Sequence, residues 1–229
     1  MKEYFKVTVA LTLFVLGSVG FLTFVRNYGK QPSLILTSPK CASSCWYGIT
    51  PGQSTVSQVY SVLDGIEGID KDRIFESDTM NGKPFRITWY FKKPVEDGMG
   101  SVRIQNDLVT AISITTVNSL KTADLFEKLG EPDAYWTEIG QRDTGEQFLD
   151  ITLLAPSKGY VAELVIDMQP GSDQVEIKPN TPVFQVTYFS PGMYQELPET
   201  RILIDKQSSR RASLQEWTGY GSIPVHRES

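Results

Sequence analysis

Cys41 and Cys45 are the only cysteines of the chain, four positions apart and directly before Trp46. Side chains at that spacing reach bonding distance within a turn, so a local disulfide is the first chemistry open to them. Two reduced, buried thiols are the second. A redox role fits poorly, because the spacing is not C-x-x-C and no βαβ pattern surrounds it. We expect the disulfide. Its loop is tiny, so its entropic contribution is modest, about 2 kcal/mol on the chain-entropy view. Its use would be to fix the entry of the chain beside Trp46. It also implies an oxidising compartment.

The remaining chemistry is sparse. One histidine, His226, stands near the C-terminus. A structural zinc site lacks ligands, and a Ser-His-Asp or Cys-His apparatus would have to draw its base from that tail. Asp70-Lys71-Asp72 and Glu96-Asp97 are the densest acidic clusters. Neither has the spacing of a calcium loop, and solvated loop charge explains them better. The chain holds no G-x-S-x-G and no glycine-rich phosphate loop. The expectation is no catalytic residue, no metal and no cofactor, hence not an enzyme. Aromatics say more. Trp46, Tyr47, Trp89, Trp136, Trp217 and Tyr220 exceed what one small core needs. Core packing is one reading. A sheet face that binds a protein partner through Trp and Tyr is the other. Tyr135 and Trp136, following Pro132 at the start of a strand, are the expected partner-binding pair.

The chain has 229 residues and a formal net charge of −5. That length allows one sizeable domain or two small ones. The acidic balance argues against a nucleic-acid partner, which needs a basic face. Val7 to Val25 carries no charge, with Lys2 and Lys6 before it and Arg26 and Lys30 after it. Its length matches the about 20 residues that cross the hydrocarbon core. A cleaved signal peptide is the rival, but its apolar run is usually shorter and ends in a small-x-small site. We expect an uncleaved anchor. The flanking charges nearly balance, so orientation rests on the disulfide: N-terminus inside, C-terminal part outside the cytoplasm.

After a spacer, Thr55 to Leu63 shows helical spacing at Val56, Val59, Tyr60 and Leu63. Thr55 and Gln58 supply a capping box, and Gly65 a stop. The period then changes to two. Ile74 to Thr79 reads as a strand and Asn81-Gly82 as a turn. Phe85, Ile87, Trp89 and Phe91 alternate with Arg86, Thr88 and Tyr90. Pro94 to Gly100 reads as a loop. A hairpin follows over Val102 to Gln105 and Leu108 to Val117, turning at Asn106-Asp107. Thr122 to Leu129 is a second helix, with Thr122 as N-cap, and Gly130 and Pro132 end it. Strands follow at Ala134 to Glu138, Gln147 to Leu154, Tyr160 to Met168 and Pro182 to Phe189, with a long loop over Gln169 to Asn180. Ile202 to Ile204 reads as an edge strand and Ser213 to Trp217 as a turn of helix, with Trp217 and Tyr220 docking on the domain.

The order helix–strands–helix–strands occurs twice, Thr55-Val56 corresponding to Thr122-Ala123 and Val59 to Phe126. Ile49-Thr50-Pro51-Gly52-Gln53-Ser54-Thr55, followed by Val59, and Leu129-Gly130-Glu131-Pro132 resemble motifs of the small extracytoplasmic modules related to BamE and to β-lactamase-inhibitory protein. The chain also resembles uncharacterised bacterial anchored proteins that begin Cys-(few residues)-Cys-Trp-x-Gly-Ile-x-Pro-Gly. The likeness covers roughly residues 41–190. The first half departs from it with Leu63-Asp64-Gly65-Ile66 where Leu-Gly-x-Pro stands, and the second lacks the Pro-Gly start. The resemblance implies a fold and a compartment, and carries over no partner and no functional residue.

The resulting expectation is an α+β fold of two similar modules, each a short helix followed by an antiparallel β-sheet, after one N-terminal transmembrane helix. Its parts are a cytoplasmic N-terminus (1–6), an anchor (7–25), a spacer (26–40), two modules (41–117 and 118–190) and a C-terminal extension (191–229). The function expected is a membrane-anchored, non-enzymatic binding or scaffolding module of the cell envelope. An envelope hydrolase, or an accessory or sensor subunit of a membrane complex, stands as the alternative.

Overall fold

Helix α1 (Val56–Gly65) begins where Thr55, in extended conformation, forms the expected capping box with Gln58, whose side chain accepts from the Thr55 amide at 2.9 Å. Val59 and Leu63, one turn apart, are fully buried. The computed structural model describes residues 44–80, 83–92, 98–116, 119–169, 171–192 and 214–225. Helix α2 (Thr122–Leu129) buries Leu125 and Phe126. Lys121, not Thr122, is its N-cap. The Thr122 hydroxyl donates instead to the Lys178 carbonyl at 2.7 Å. A tertiary acceptor has displaced the local one, because the hydroxyl sits in the core where an unpaired donor is costly. Gly130, at φ 85°, closes the helix with its amide on the Phe126 carbonyl.

The strands are β1 (Ile69–Met80), β2 (Lys83–Phe91), β3 (Gly98–Gln105), β4 (Leu108–Thr116), β5 (Ala134–Gln141), β6 (Gln147–Ala155), β7 (Tyr160–Asp167), β8 (Gln174–Ile177), β9 (Gln185–Phe189), β10 (Gln215–Glu216) and β11 (Gly221–Pro224). Nine of them form one sheet in the order β1-β2-β3-β4-β9-β7-β6-β5-β10, and β8 and β11 form a small second sheet. Every neighbouring pair is antiparallel.

The register places alternate residues on two faces. Trp89, Gly100, Ile114, Val186, Ala162, Leu153 and Tyr135 oppose one another in a row across the sheet. This row faces the main core, which takes in Val59 and Leu63 of α1, Leu125 and Phe126 of α2, and Val175, Ile177, Ile223 and Val225 of the small sheet. Gly100 lies beneath the Trp89 ring: a Cβ there would stand 2.2 Å from the indole. Trp89 in turn stacks on Trp46 at 5.0 Å, and Trp46 meets Phe91 edge-on.

These findings correct several expectations. The described chain is mainly antiparallel β-sheet with two helices, not an α+β pair of helix-plus-sheet modules after a transmembrane helix. The strands of the two expected modules join at β4 and β9 over one continuous core, where an open edge on each would leave backbone groups unpaired. Among the described residues no helix is long and apolar enough to cross a membrane. Residues 7–25 lie outside them, so the single-pass membrane placement and the extracytoplasmic location are withdrawn. The cysteine expectation is not among those corrected: Cys45 is disulfide-bonded and not a free thiol, and Cys41 lies outside the described residues.

Smaller corrections follow the same logic. Residues Ser213 to Trp217 hold the short strand β10 rather than a helical turn, because β5 offers them an open edge. The long loop contains β8, which pairs with β11. Gly98 to Gly100 extend β3. β1 starts at Ile69, with a register shift between Asp70 and Ile74. Ile202 to Ile204 lie outside the described residues. Trp217 does dock, edge-on to Phe126 and Tyr135.

Gly100→Ala is expected to destabilise the protein by about 1–3 kcal/mol, the usual cost of forced overpacking. Equilibrium urea denaturation measures it, and an unchanged midpoint would show that the Trp89 ring has room to move.

Candidate functional site

The face of the sheet away from the helices carries the features that a partner could read. Its rows alternate with those of the core. One runs Tyr90, Met99, Thr115, Gln185, Glu163, Thr152 and Trp136; the next runs Thr88, Ser101, Ser113, Thr187, Val161, Leu154 and Ala134. The middle is a ladder of polar side chains bonded to one another. Ser113 and Thr187 share a hydrogen bond of 2.9 Å, Thr115 donates to Gln185 at 3.1 Å, and Gln185 donates to Glu163 at 3.3 Å.

The two ends of the first row differ. At the β2 end, the Arg73 guanidinium lies 3.8 Å over the Tyr90 ring and Phe75 meets the same ring edge-on at 6.2 Å. The shift in β1 between Asp70 and Ile74 is what brings Arg73 there. Phe75 is 52% exposed and Met99, opposite Tyr90, is 37% exposed. Large apolar side chains thus stand in water beside the exposed guanidinium of Arg86. At the β5 end, Trp136 is buried with Ala111, Leu154, Val161 and Phe189. Beside it Glu138 and Asp150 oppose each other across β5 and β6. Burial, and then the Glu138 charge, hold the Asp150 carboxyl above its ordinary range.

The structure separates the pair singled out from sequence. Tyr135 and Trp136 are neighbours in one strand and therefore point to opposite faces. Tyr135 is buried in the main core and its hydroxyl donates to Gln215; Trp136 is buried on the other side. They form no common site. Phe75 and Tyr90 do, and one signal marked them: Tyr90 is an aromatic on the polar phase of an otherwise clean alternation.

A second concave place lies between α1 and β1. A cleft of about 450 Å³ is lined by Tyr60, Ser61, Asp64, Lys71 and Ile74. Two of its polar side chains are already engaged. The Tyr60 hydroxyl donates to Glu76, and the Lys71 ammonium donates to the Leu63 carbonyl at the end of α1. Burial first, then the bond to Glu76 and its charge, push the Tyr60 hydroxyl above its ordinary range, so it is a donor and not a base at neutral pH. These bonds fasten a helix to a strand. Asp70 accepts from the Asp72 amide at 3.3 Å within the β1 irregularity. Among the described residues no three His, Cys, Asp or Glu gather closely enough to hold a metal. His226, Glu96, Asp97 and Cys41 lie outside those residues.

The contrast between the two ends is measurable. Phe75→Ala is expected to leave the urea midpoint within about 0.5 kcal/mol of the parent, as for surface changes. Trp136→Ala is expected to cost about 3–5 kcal/mol. Equal losses at both would mean that Phe75 belongs to the core.

No protein-family model, no curated protein and no solved structure matches this chain.

Proposed function

We propose that this protein is a non-enzymatic binding or scaffolding module that docks a protein partner on the open sheet face at β1–β3. The observation that carries the reading is the exposed cluster of Phe75, Tyr90 and Met99 beside Arg73 and Arg86. Apolar side chains left in water next to guanidinium groups combine burial on docking with a charged rim, the composition of interface hot spots. The fitting partner surface presents an apolar side chain flanked by carboxylates. The polar ladder beside the cluster is satisfied within the chain, so covering it removes water from groups that already have partners. Kinship with the BamE-like and β-lactamase-inhibitory-protein-like modules belongs to the same proposal, and rests on Ile49–Thr55 and Leu129–Pro132 alone. The enzyme reading finds less support, since the Tyr60 and Lys71 side chains of the cleft are committed to Glu76 and to the Leu63 carbonyl.

The test is photo-crosslinking in the cells that make the protein, with a benzophenone amino acid placed in the full chain at Phe75, at Met99 or at Ser57 on α1. The expected result is one discrete protein adduct at both sheet positions and not at Ser57, lost when Arg73→Glu is added. No adduct, or the same adduct at Ser57, would overturn the reading.

A further inference from the structure

The cleft between α1 and β1 has a use beyond fastening the helix to the strand. Its volume of about 450 Å³ falls among small-molecule sites, which span about 300–1,000 Å³. Tyr60, Ser61 and Asp64 line it from α1, and Lys71 and Ile74 from β1. Tyr60 and Lys71 are bonded to Glu76 and to the Leu63 carbonyl. Asp64 and Ser61 are different. Among the described residues neither side chain has a hydrogen-bond or ion-pair partner.

The surrounding charge sets the sign of an occupant. Asp64 stands in the last turn of α1, which holds no basic residue. The carbonyls at a helix C-terminus carry partial negative charge, so a carboxylate there is disfavoured and a cation favoured. From Tyr60 to Glu76 the chain carries Asp64, Glu67, Asp70, Asp72 and Glu76 against Lys71 and Arg73. Arg73 lies over Tyr90 on the open face. Lys71 is held at the Leu63 carbonyl. The cleft therefore keeps an excess of negative charge. Its lining selects among cations. Among the described residues no three His, Cys, Asp or Glu gather as a metal requires. The Ile74 side chain suits a hydrocarbon body, and the face of a tyrosine ring attracts a cation. Positions 61 and 64 are neighbours on one helix face. The Ser61 hydroxyl and the Asp64 carboxylate there are acceptors for an ammonium, which carries several N–H donors.

We propose that the α1–β1 cleft binds a primary alkylammonium group, with Asp64 as its counter-ion, Ser61 as a further acceptor, and the Tyr60 ring and Ile74 against its hydrocarbon body. The ammonium supplies the cation that the last turn of α1 lacks. The site is distinct from the exposed aromatic cluster. Ile74 and Phe75 are neighbours in β1 and face opposite sides of the sheet, so this inference and the partner-binding reading fail or survive separately.

The test is a titration of the full-length, isotopically labelled protein, read by the amide shifts of residues 60–64 and 71–74. The probes are n-butylammonium chloride, Nα-acetyl-lysine amide, and tetramethylammonium chloride and sodium butyrate as controls, all at one ionic strength. The expected result is a saturable shift with n-butylammonium that neither control produces. It should be about tenfold weaker in Asp64→Asn, as for a lost charge-assisted hydrogen bond, and unchanged in Asp143→Asn on the β5–β6 turn. An equal response to the lysine amide would mean that the site accepts a lysine side chain; a response to n-butylammonium alone would mean a small free amine. Either upholds the proposal. No saturable shift with either amine, the same shifts with tetramethylammonium, or undiminished binding in Asp64→Asn would overturn it. Asp64 is exposed, and removing its charge from a helix C-terminus does not oppose folding, so the variant is a fair test.

Discussion

Ile112 opposite Tyr188 and Ile114 opposite Val186 set the pairing of β4 with β9, and through it the sheet becomes one. Without that ladder the chain would carry two sheets, each with a further row of unpaired amides and carbonyls. The register is held from both faces. The isoleucines, Val186 and Tyr188 are buried in the main core, while Ser113 bonds Thr187 and Thr115 bonds Gln185 on the other side. A slip of one residue would carry the polar set into the core and the apolar set into water, so the two faces enforce one alignment. Below the ladder the Thr116 hydroxyl donates to the Val183 carbonyl and fixes the approach of the chain to β9.

The outer edges are managed in different ways. On β1, the irregularity between Asp70 and Ile74 and the exposed Lys71, Asp72 and Arg73 make a poor template for another strand. On β5, the edge is partly covered by β10, which Trp217 anchors against Phe126 and Tyr135. The same irregularity that blunts β1 places Arg73 over Tyr90. Edge protection and the exposed aromatic cluster thus share one backbone feature, and β11 ties the chain beyond Trp217 to β8.

The open face follows from the same economy. On a face that neither α1 nor α2 covers, polar groups are kept paired, and the Ser-Thr-Gln-Glu ladder does so within the sheet. Apolar surface is then confined to the two ends, where it has opposite character: buried at Trp136 and exposed at Phe75 and Met99. Gly140 beneath Phe148 repeats on this face the arrangement of Gly100 beneath Trp89 on the other, an aromatic ring filling the space over a strand glycine.

By itself the sequence determined what depends on neighbours along the chain. The capping box of α1, the alternation of Phe85 to Phe91, the turn at Asn106-Asp107 and the stop at Gly130 are local, and each stands where the spacing put it. The tertiary structure decided what depends on distant partners. A strand's pattern gives its buried face but not which strand it pairs with, so nothing local to β4 or β9 announced that they join. Nor did Thr122 reveal that Lys178, far along the chain, would take its hydroxyl from the capping role. Adjacent Tyr135 and Trp136 looked like one site because sequence proximity was the only proximity available; the pleat sends them to opposite faces. Phe75 and Tyr90 became one because a shifted strand brought them together, and a shift of that kind is set by pairing across the sheet.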